Sequence, residues 1–260
     1  MDNPPIMKNL LIYLLLIPAF LILISCGTEK KEKTNEIPVK KPDAENEKIT
    51  PITFDNYEVM SYPDAIIEMY SPLGNENFKE GKIPFEFNIK NYPFGEGLRN
   101  FQLRLIINGD NPISYNMPIF QREFKTGTYR AVAYLIDEEG IALKEFGNYV
   151  DRDFTVGDSR PFPDSDEPHM VLNLPEDGHT YQTGEEVIID FLLLGGALKE
   201  DQLKFILSID GQDREIKELV PVKVENLPTG NYDLELKLIK GNGEELSGLF
   251  TSARRTIKVE

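Results

Sequence analysis

Three residue types that build disulfides and many active sites are scarce in this sequence. It contains one cysteine, two histidines and no tryptophan. One cysteine cannot form an intramolecular disulfide, and two unpaired histidines do not supply the three or four ligands of a zinc site. A Ser-His-Asp or Cys-His set needs a nucleophile held against a base, and no Gly-x-Ser-x-Gly motif occurs. We therefore expect no enzyme and no cofactor, with His169 and His179 as solvated surface groups.

Positive charge is also in short supply. Lys and Arg number 28 against 44 Asp and Glu, which gives a formal net charge of −16. Nucleic acids and anionic headgroups are bound through clustered Lys and Arg, which are missing here. The composition excludes a nucleic-acid partner and favours cationic or neutral ones.

No apolar run is long enough for a confident membrane helix. The longest one, Leu10–Ile24, falls short of the roughly 20 residues that cross a bilayer, and Pro18 interrupts it. A secretory signal needs a positive start, a short apolar core and a small residue before the cut, and Lys8, this run and Ser25 supply them in order. Residues 1–25 are predicted to be a signal peptide, and a start at Met7 instead of Met1 would give a cleaner one.

The end of this run contains the only cysteine. Leu23-Ile24-Ser25-Cys26 resembles the lipobox of bacterial lipoproteins. The resemblance implies that the Cys26 sulfur carries a diacylglycerol, that the signal is cut off before it, and that the protein is anchored to the cell envelope by lipid. Gly27 after the cysteine implies the outer membrane if the source is Gram-negative. The alternative is a buried or free thiol.

A charged segment follows the cysteine. Residues 27–48 hold six Lys, six Asp or Glu and no aromatic residue. Such a segment cannot bury enough apolar surface to fold. Residues 26–48 are predicted to be the lipidated cysteine and a disordered tether.

The rest of the chain contains an internal repeat. Pro72 and Pro175, Gly127 and Gly230, and Tyr129 and Tyr232 are each separated by 103 positions, and Asn108-Gly109 corresponds to Asp210-Gly211 at 102. A spacing this steady over about 90 residues predicts two homologous modules in tandem.

Both modules show the periodicity of β-strands. Apolar residues alternate with polar ones through Phe85–Ile89, Phe101–Ile107, Leu203–Ile209 and Tyr232–Leu238. A period of two is typical of half-buried antiparallel strands. No segment has a persuasive helical period, so we predict an all-β protein with two tandem β-sandwiches.

The residues around these strands resemble the immunoglobulin-like domains repeated in bacterial surface proteins. The resemblance lies in a first strand that ends in Pro, a loop that ends in Gly before the second strand, and Gly-x-Tyr before a late strand, as in YSPLGNENFKEGKIPFEF and LPTGNYDLELKL. It implies immunoglobulin-like sandwiches at 49–157 and 169–260. It also implies that Tyr129 and Tyr232 are tyrosine-corner residues, unless they are simply core residues.

The segment between the modules is acidic. Residues 158–168 include Asp158, Asp164, Asp166 and Glu167. Calcium takes six to eight oxygen ligands, but the spacing is not that of an EF-hand. We expect a solvated linker, with a calcium site as the alternative. Residues 49–62 are apolar enough to add an edge strand to the first module.

Four aromatic residues of the first module are candidates for a partner surface: Tyr92, Phe94, Tyr115 and Phe120. Exposed aromatics on an acidic sandwich would mark a protein interface or a platform for sugar stacking. Two functions follow. One is an envelope lipoprotein that contacts another envelope protein in adhesion, scaffolding or complex assembly. The other is a carbohydrate-binding accessory lipoprotein that captures a polysaccharide.

Overall fold

A computed structural model describes residues 51–95 and 100–260, and all the regular structure in these ranges is β-strand. No helix in the described part of the chain is long and apolar enough to span a membrane. The predicted signal peptide, Cys26 and the tether lie outside the described residues.

The first nine strands include all those of the first module. They are β1 (Thr53–Asn56), β2 (Ile66–Ser71), β3 (Glu76–Phe78), β4 (Gly81–Lys90), β5 (Leu103–Ile107), β6 (Ile113–Tyr115), β7 (Ile119–Phe124), β8 (Gly127–Leu135) and β9 (Tyr149–Val156). One sheet has the order β2-β4-β7, and the other has the order β3-β9-β8-β5-β6. The chain changes sheet between β2 and β3, and β3 is parallel to β9.

The second module repeats this arrangement. Its strands are β10 (His169–Leu174), β11 (His179–Tyr181), β12 (Val187–Leu194), β13 (Leu203–Ile209), β14 (Gln212–Ile216), β15 (Val222–Glu225), β16 (Gly230–Lys240) and β17 (Ser252–Val259). One sheet contains β15-β12-β10, and the other has the order β11-β17-β16-β13-β14. The protein is thus all-β, with two tandem immunoglobulin-like sandwiches, as predicted.

Alternating side chains explain why these segments are strands. In β4, Ile83, Phe85 and Phe87 are buried while the intervening residues are not, and β13 buries Leu203, Phe205, Leu207 and Ile209 in the same way. Successive side chains of a strand point to opposite faces of its sheet. The buried sets therefore meet between the two sheets of each module and form a separate core in each.

The two predicted tyrosine corners are confirmed. The hydroxyl of Tyr129 donates to the carbonyl oxygen of Lys125 at 2.9 Å, and that of Tyr232 donates to Pro228 at 2.7 Å. A Cβ atom added to Gly127 would lie 2.9 Å from the Tyr129 oxygen. The Gly-x-Tyr pattern thus leaves room for a hydroxyl that bonds the backbone four residues earlier.

Strand β1 corrects the expectation for residues 49–62. A strand does form, but it pairs antiparallel with β15 of the second module, with Phe54 opposite Val224. Ile52 and Phe54 also pack against the second core. Any open sheet edge offers unpaired backbone groups, so the amphipathic pattern alone could not identify the partner.

The linker is more ordered than a merely solvated segment. Asp158, Asp164 and Asp166 are exposed as expected. Phe162, however, contacts the Phe250 ring edge-on at 5.7 Å and lies 5.8 Å from the Arg130 guanidinium carbon. Packing onto the modules removes the apolar ring of Phe162 from water, and this burial stabilises its position in the linker.

Candidate functional site

The two modules pack directly against each other. The outer face of β5 and β8 meets the outer face of β10 and β12, and we call this contact the joint. Its buried apolar side chains are Ile106, Val132, Tyr134, Ile136, Ala142, Val171, Leu192 and Leu194. The joint therefore has an apolar cluster of its own, separate from the two module cores.

A buried ion pair crosses the joint. Asp190 is fully buried, and its Oδ1 accepts from Lys144 Nζ at 2.5 Å. Its Oδ2 accepts from the backbone N–H of Ala142 at 2.7 Å. Lys144 also donates to the carbonyl oxygen of Phe191 at 2.9 Å. Buried charges are tolerated when they are paired and hydrogen-bonded in this way.

Asn173 extends this polar cluster. Its Oδ1 accepts from Arg104 Nη1 at 2.6 Å and from the Tyr134 hydroxyl at 2.8 Å. Its Nδ2 donates to the Gly140 carbonyl at 2.9 Å and to Asp190 Oδ2 at 2.6 Å. The side-chain amide thus uses its full hydrogen-bonding capacity. Burial raises the pKa of Tyr134, so its hydroxyl keeps the proton that it donates.

A second contact lies at the end of the β5–β6 hairpin. Arg255 of β17 donates from Nη2 to the carbonyl oxygens of Gly109, at 2.9 Å, and Asp110, at 3.3 Å. Beside it, the Asn111 side chain accepts from the Asp177 backbone N–H at 2.7 Å. The turn of the first module is thereby fixed against the second.

His169 corrects the expectation that both histidines are solvated. It is buried, with Nε2 at 3.6 Å from Asp151 Oδ2, whereas His179 is exposed. Burial, followed by the nearby Arg130 charge, lowers the pKa of His169. The predicted position of His169 at the start of a strand was correct, but the packing of the two modules buries its side chain.

One sequence signal of the joint was missed. In β12 every residue from Ile189 to Leu194 is buried, because Phe191 and Leu193 face the core while Leu192 and Leu194 face the joint. A continuous apolar run such as Phe191–Leu194 is typical of a strand buried on both faces. The run FLLL could therefore have indicated that a second surface covers this sheet.

The corresponding face of the first module is polar. Phe87 of β4 lies opposite Met69, just as Phe191 of β12 lies opposite Leu172, so Phe87 corresponds to Phe191. The residues one and three positions later, Asn88 and Lys90, therefore correspond to Leu192 and Leu194. Asn88 Nδ2 and Lys90 Nζ both donate to Glu68 Oε2, at 2.6 and 3.1 Å. A polar outer face is how tandem arrays commonly terminate.

The four candidate aromatic residues do not form one exposed patch. Tyr115 stacks on Phe120 with ring centroids 3.6 Å apart, and Phe120 stacks on Phe85 of the core. Tyr92 and Phe94 lie beside each other in a separate group, where the Tyr92 hydroxyl donates to the carbonyl oxygen of Ile136. All four rings are half-buried and pack against the first core.

An open groove lies on the first module instead. It has a volume of about 650 Å³, and we call it the Arg152 groove. Its lining includes Glu68, Tyr70, Phe146, Val150 and Arg152 of the first module, together with Gly195 and Gly196 of the second. Phe146, at its rim, is 97% exposed. A ring this exposed on an acidic body is a candidate contact for a partner.

One of the acidic residues near the linker is paired with an arginine. Both carboxylate oxygens of Asp153 accept from Arg130, at 2.7 and 2.6 Å. Within residues 51–95 and 100–260, no group of three or more His, Cys, Asp and Glu side chains is arranged to hold a metal ion.

No model of a known protein family matches the chain, and no curated protein matches it. Several solved structures are similar. The fibronectin(III)-like modules of Clostridium thermocellum CbhA are 14% identical, with 75% of this chain and 94% of that chain covered and a TM-score of 0.29. Three domains of the bacteriophage RB49 outer capsid protein Hoc are 12% identical, with 75% and 69% covered and a TM-score of 0.23. Eight immunoglobulin domains of the Down syndrome cell adhesion molecule are 10% identical, with 75% and 23% covered and a TM-score of 0.23.

Proposed function

We propose that this protein is a lipid-anchored lipoprotein of the cell envelope whose two immunoglobulin-like modules act as one rigid body in contact with another envelope protein. The observation that carries the proposal is the place of the buried polar cluster. Lys144, Asp190 and Asn173 satisfy one another inside the joint, so the cluster fixes the modules together and presents no reactive group to a cleft.

The anchor is supported by the sequence. Leu23–Cys26 has the form of a lipobox, and the charged segment 27–48 follows it directly. Two or three acyl chains, at about 0.8 kcal/mol per buried methylene, would hold the protein stably on a membrane, where one chain gives marginal binding. In a Gram-negative source the outer membrane is the expected location.

The contact role is supported by apolar side chains on an acidic surface. Phe146 and Ile119 are exposed, with Ile119 at 62%. Exposed apolar patches on soluble proteins commonly mark interaction sites. Adhesion, scaffolding and complex assembly all use such a surface. Sugar stacking on Tyr92, Phe94, Tyr115 and Phe120 is less favoured, because these rings are half-buried in two separate groups.

The anchor is tested by expressing Cys26→Ser in the native host. We expect the variant to leave the membrane fraction and to lose palmitate labelling, while Ser25→Ala, which keeps the thiol and a small residue before it, retains both. Membrane retention of Cys26→Ser together with an unlabelled wild type would refute the anchor.

The contact role is tested by photo-crosslinking in the envelope. A benzoylphenylalanine at position 146 should give a discrete adduct with one protein, whereas the same probe at Lys240, on an exposed strand end of the second module, should not. Equal and diffuse labelling from both positions would count against a defined protein partner.

A further inference from the structure

Two arginines occupy the same position in the two modules. Arg152 lies opposite Ala131 in the β8–β9 pair, and Arg255 lies opposite Leu234 in the β16–β17 pair. Each donates from Nη1 to the carbonyl oxygen of the residue before it, Arg152 to Asp151 at 2.6 Å and Arg255 to Arg254 at 2.8 Å. The repeat has thus placed one guanidinium, in one orientation, at the same edge of each sandwich.

In the second module this guanidinium donates hydrogen bonds to a turn of the first module. The β5–β6 turn directs the carbonyl oxygens of Gly109 and Asp110 to Arg255 Nη2, and Arg255 is buried by the contact. Two carbonyl oxygens are therefore a ligand set that this position accepts, and the carboxylates of Asp110 and Asp177 are near enough to add favourable charge. A hydrogen bond with a charged donor is stronger than a neutral one.

In the first module the equivalent guanidinium has no such ligands. The β2–β3 turn packs on the Arg152 stem, where a Cβ atom on Gly74 would lie 3.6 Å from Cδ, but no other segment of the described chain offers a carbonyl oxygen to the guanidinium. None of the described acidic side chains lies within salt-bridge distance of it. Strand β3 pairs with β9 only from Phe154 to Val156, and the Asn75 N–H donates to the Asp153 carbonyl oxygen at 2.7 Å. The strand edge from Tyr149 to Arg152 therefore runs along the groove without a neighbouring strand from its own sheet.

Apolar and polar side chains both line the groove around this position. Val150 lies beside Arg152, Phe146 and Tyr70 are exposed along the groove, and Glu68, which is paired with Lys90, adds a polar group, while Ile67 and Met69 are buried in the core beneath. The groove also continues into the joint. Tyr149 packs against the joint cluster, and Gly195 and Gly196 of the second module line the groove. A ligand here would extend an interface that already exists.

We propose that the Arg152 groove binds a β-turn of a partner protein, whose carbonyl oxygens and adjacent carboxylate engage Arg152 while a neighbouring apolar side chain packs on Phe146. The inference deepens the proposed function, on which it rests, by naming the receiving surface and the chemistry of its ligand. A guanidinium that pairs with none of the acidic side chains in residues 51–95 and 100–260 supplies the charge complementarity, and the contact between Arg255 and Gly109 supplies the precedent.

A second copy of this chain fits the groove poorly. Docking in the manner of the joint would bury Glu68, Asn88 and Lys90 where the joint buries Val171, Leu192 and Leu194. Two bodies with a formal charge of −16 would also repel each other. The ligand is therefore a turn from a different protein.

The test titrates the purified, detergent-solubilised full chain with a cyclic peptide of the precedent turn, Ile107–Pro112 (INGDNP). The readout is the Nε–H NMR signals of the arginine side chains. We expect a saturable shift at Arg152 with millimolar peptide, and roughly tenfold weaker binding to Arg152→Gln, as the loss of a charged hydrogen bond predicts. A peptide with Asn in place of Asp should also bind more weakly, and Phe146→Ala should weaken binding several-fold.

The control is Arg122→Gln, which removes a guanidinium from β7 and should leave binding unchanged. Arg152→Lys is the second variant, in case the Gln variant does not fold. An unmoved Arg152 signal at millimolar peptide would overturn the proposal, and so would shifts that persist in Arg152→Gln. The measurement needs no lipid anchor, so its failure is distinguishable from failure of the Cys26 experiment.

Discussion

Lys144 Nζ lies 2.5 Å from Asp190 Oδ1 and joins a hairpin of the first module to a central strand of the second. Asp190 has no exposed surface, and Lys144 has little. Taking both charges out of water is costly, and the attraction between them offsets that cost only because further hydrogen bonds complete the site. The pair thus makes the arrangement of the modules specific, because any other arrangement would leave Asp190 without its partner.

Removing one partner of this pair should be strongly destabilising. Asp190→Leu leaves the Lys144 ammonium buried without a counter-charge, and the expected loss in the free energy of unfolding is about 3–5 kcal/mol. Replacing both residues, as in Lys144→Met with Asp190→Leu, should recover part of that loss because no buried charge then remains. Urea unfolding of the single and double variants measures both quantities.

The matched control for the ion pair is Lys240→Met, which breaks the exposed pair with Glu244. That change should cost no more than about 1 kcal/mol. If Asp190→Leu is as mild as Lys240→Met, the buried pair does not hold the modules together.

The repeat offers a second comparison, between Leu192 and Asn88. Leu192 is buried in the joint, whereas Asn88 occupies the corresponding place on the polar face of the first module. Leu192→Ala should cost about 2–5 kcal/mol, because it leaves a cavity in a packed interface. Asn88→Ala should stay within about 1 kcal/mol, since only partly exposed polar contacts are lost. Similar losses in the two variants would show that the joint is not tightly packed.

Much of the fold could be predicted because it depends on local patterns. Alternation over Leu203–Ile209 identified a half-buried strand, the spacing from Tyr129 to Tyr232 identified the repeat, and the resemblance to immunoglobulin-like domains indicated both tyrosine corners. The partner of β1 could not be predicted in the same way. Edge pairing depends on which sheet edge lies near the strand. The sequence around Phe54 is compatible with a half-buried edge strand on either module, so it does not identify the partner.

The candidate site was harder to predict from the sequence, because it too depends on contacts between distant segments. The prediction for Cys26 lies outside the described residues and stays a prediction. Arg152 and Arg255 are 103 positions apart and could have been matched by the repeat alone. What distinguishes them is the turn at Gly109, which reaches Arg255 only because the modules are packed face to face. Contacts between distant segments leave little periodic trace in a sequence.

The tyrosine corners should make measurable contributions to stability. Tyr129→Phe and Tyr232→Phe each remove one hydroxyl that bonds the backbone while keeping the ring. The expected loss is about 1 kcal/mol per site in urea unfolding. Tyr70→Phe is the control, because its hydroxyl lies at the surface. Losses no larger than that of the control would mean that water replaces the corner bond without cost.

Strand β1 should protect the edge of the second module. In Phe54→Asp a charge replaces an aromatic ring that packs on the second core, so β1 should detach. Amides of β15 that bond to β1 should then exchange with solvent deuterium faster, while those of β7, the corresponding strand of the first module, should be unaffected. Unchanged exchange at Val222–Glu225 would contradict a protective role for the strand.

His169 should make stability depend on pH. Burial lowers the pKa of this imidazole below the value of about 6.5 that it has in an unfolded chain. The unfolded state therefore binds a proton more readily, and the free energy of unfolding should fall as the pH drops below about 6.5 and through the folded pKa.

The measurement is urea unfolding between neutral and mildly acidic pH. His169→Gln should flatten this part of the curve, because the amide has no proton to gain. His179→Gln, at an exposed position, should leave the curve parallel to wild type. The nearby carboxylates Asp151 and Asp153 oppose the shift, whereas Arg130 strengthens it. Asp151→Asn should consequently lower the His169 pKa further and extend the loss of stability to lower pH, and a curve that is unchanged in both His169→Gln and Asp151→Asn would contradict the linkage.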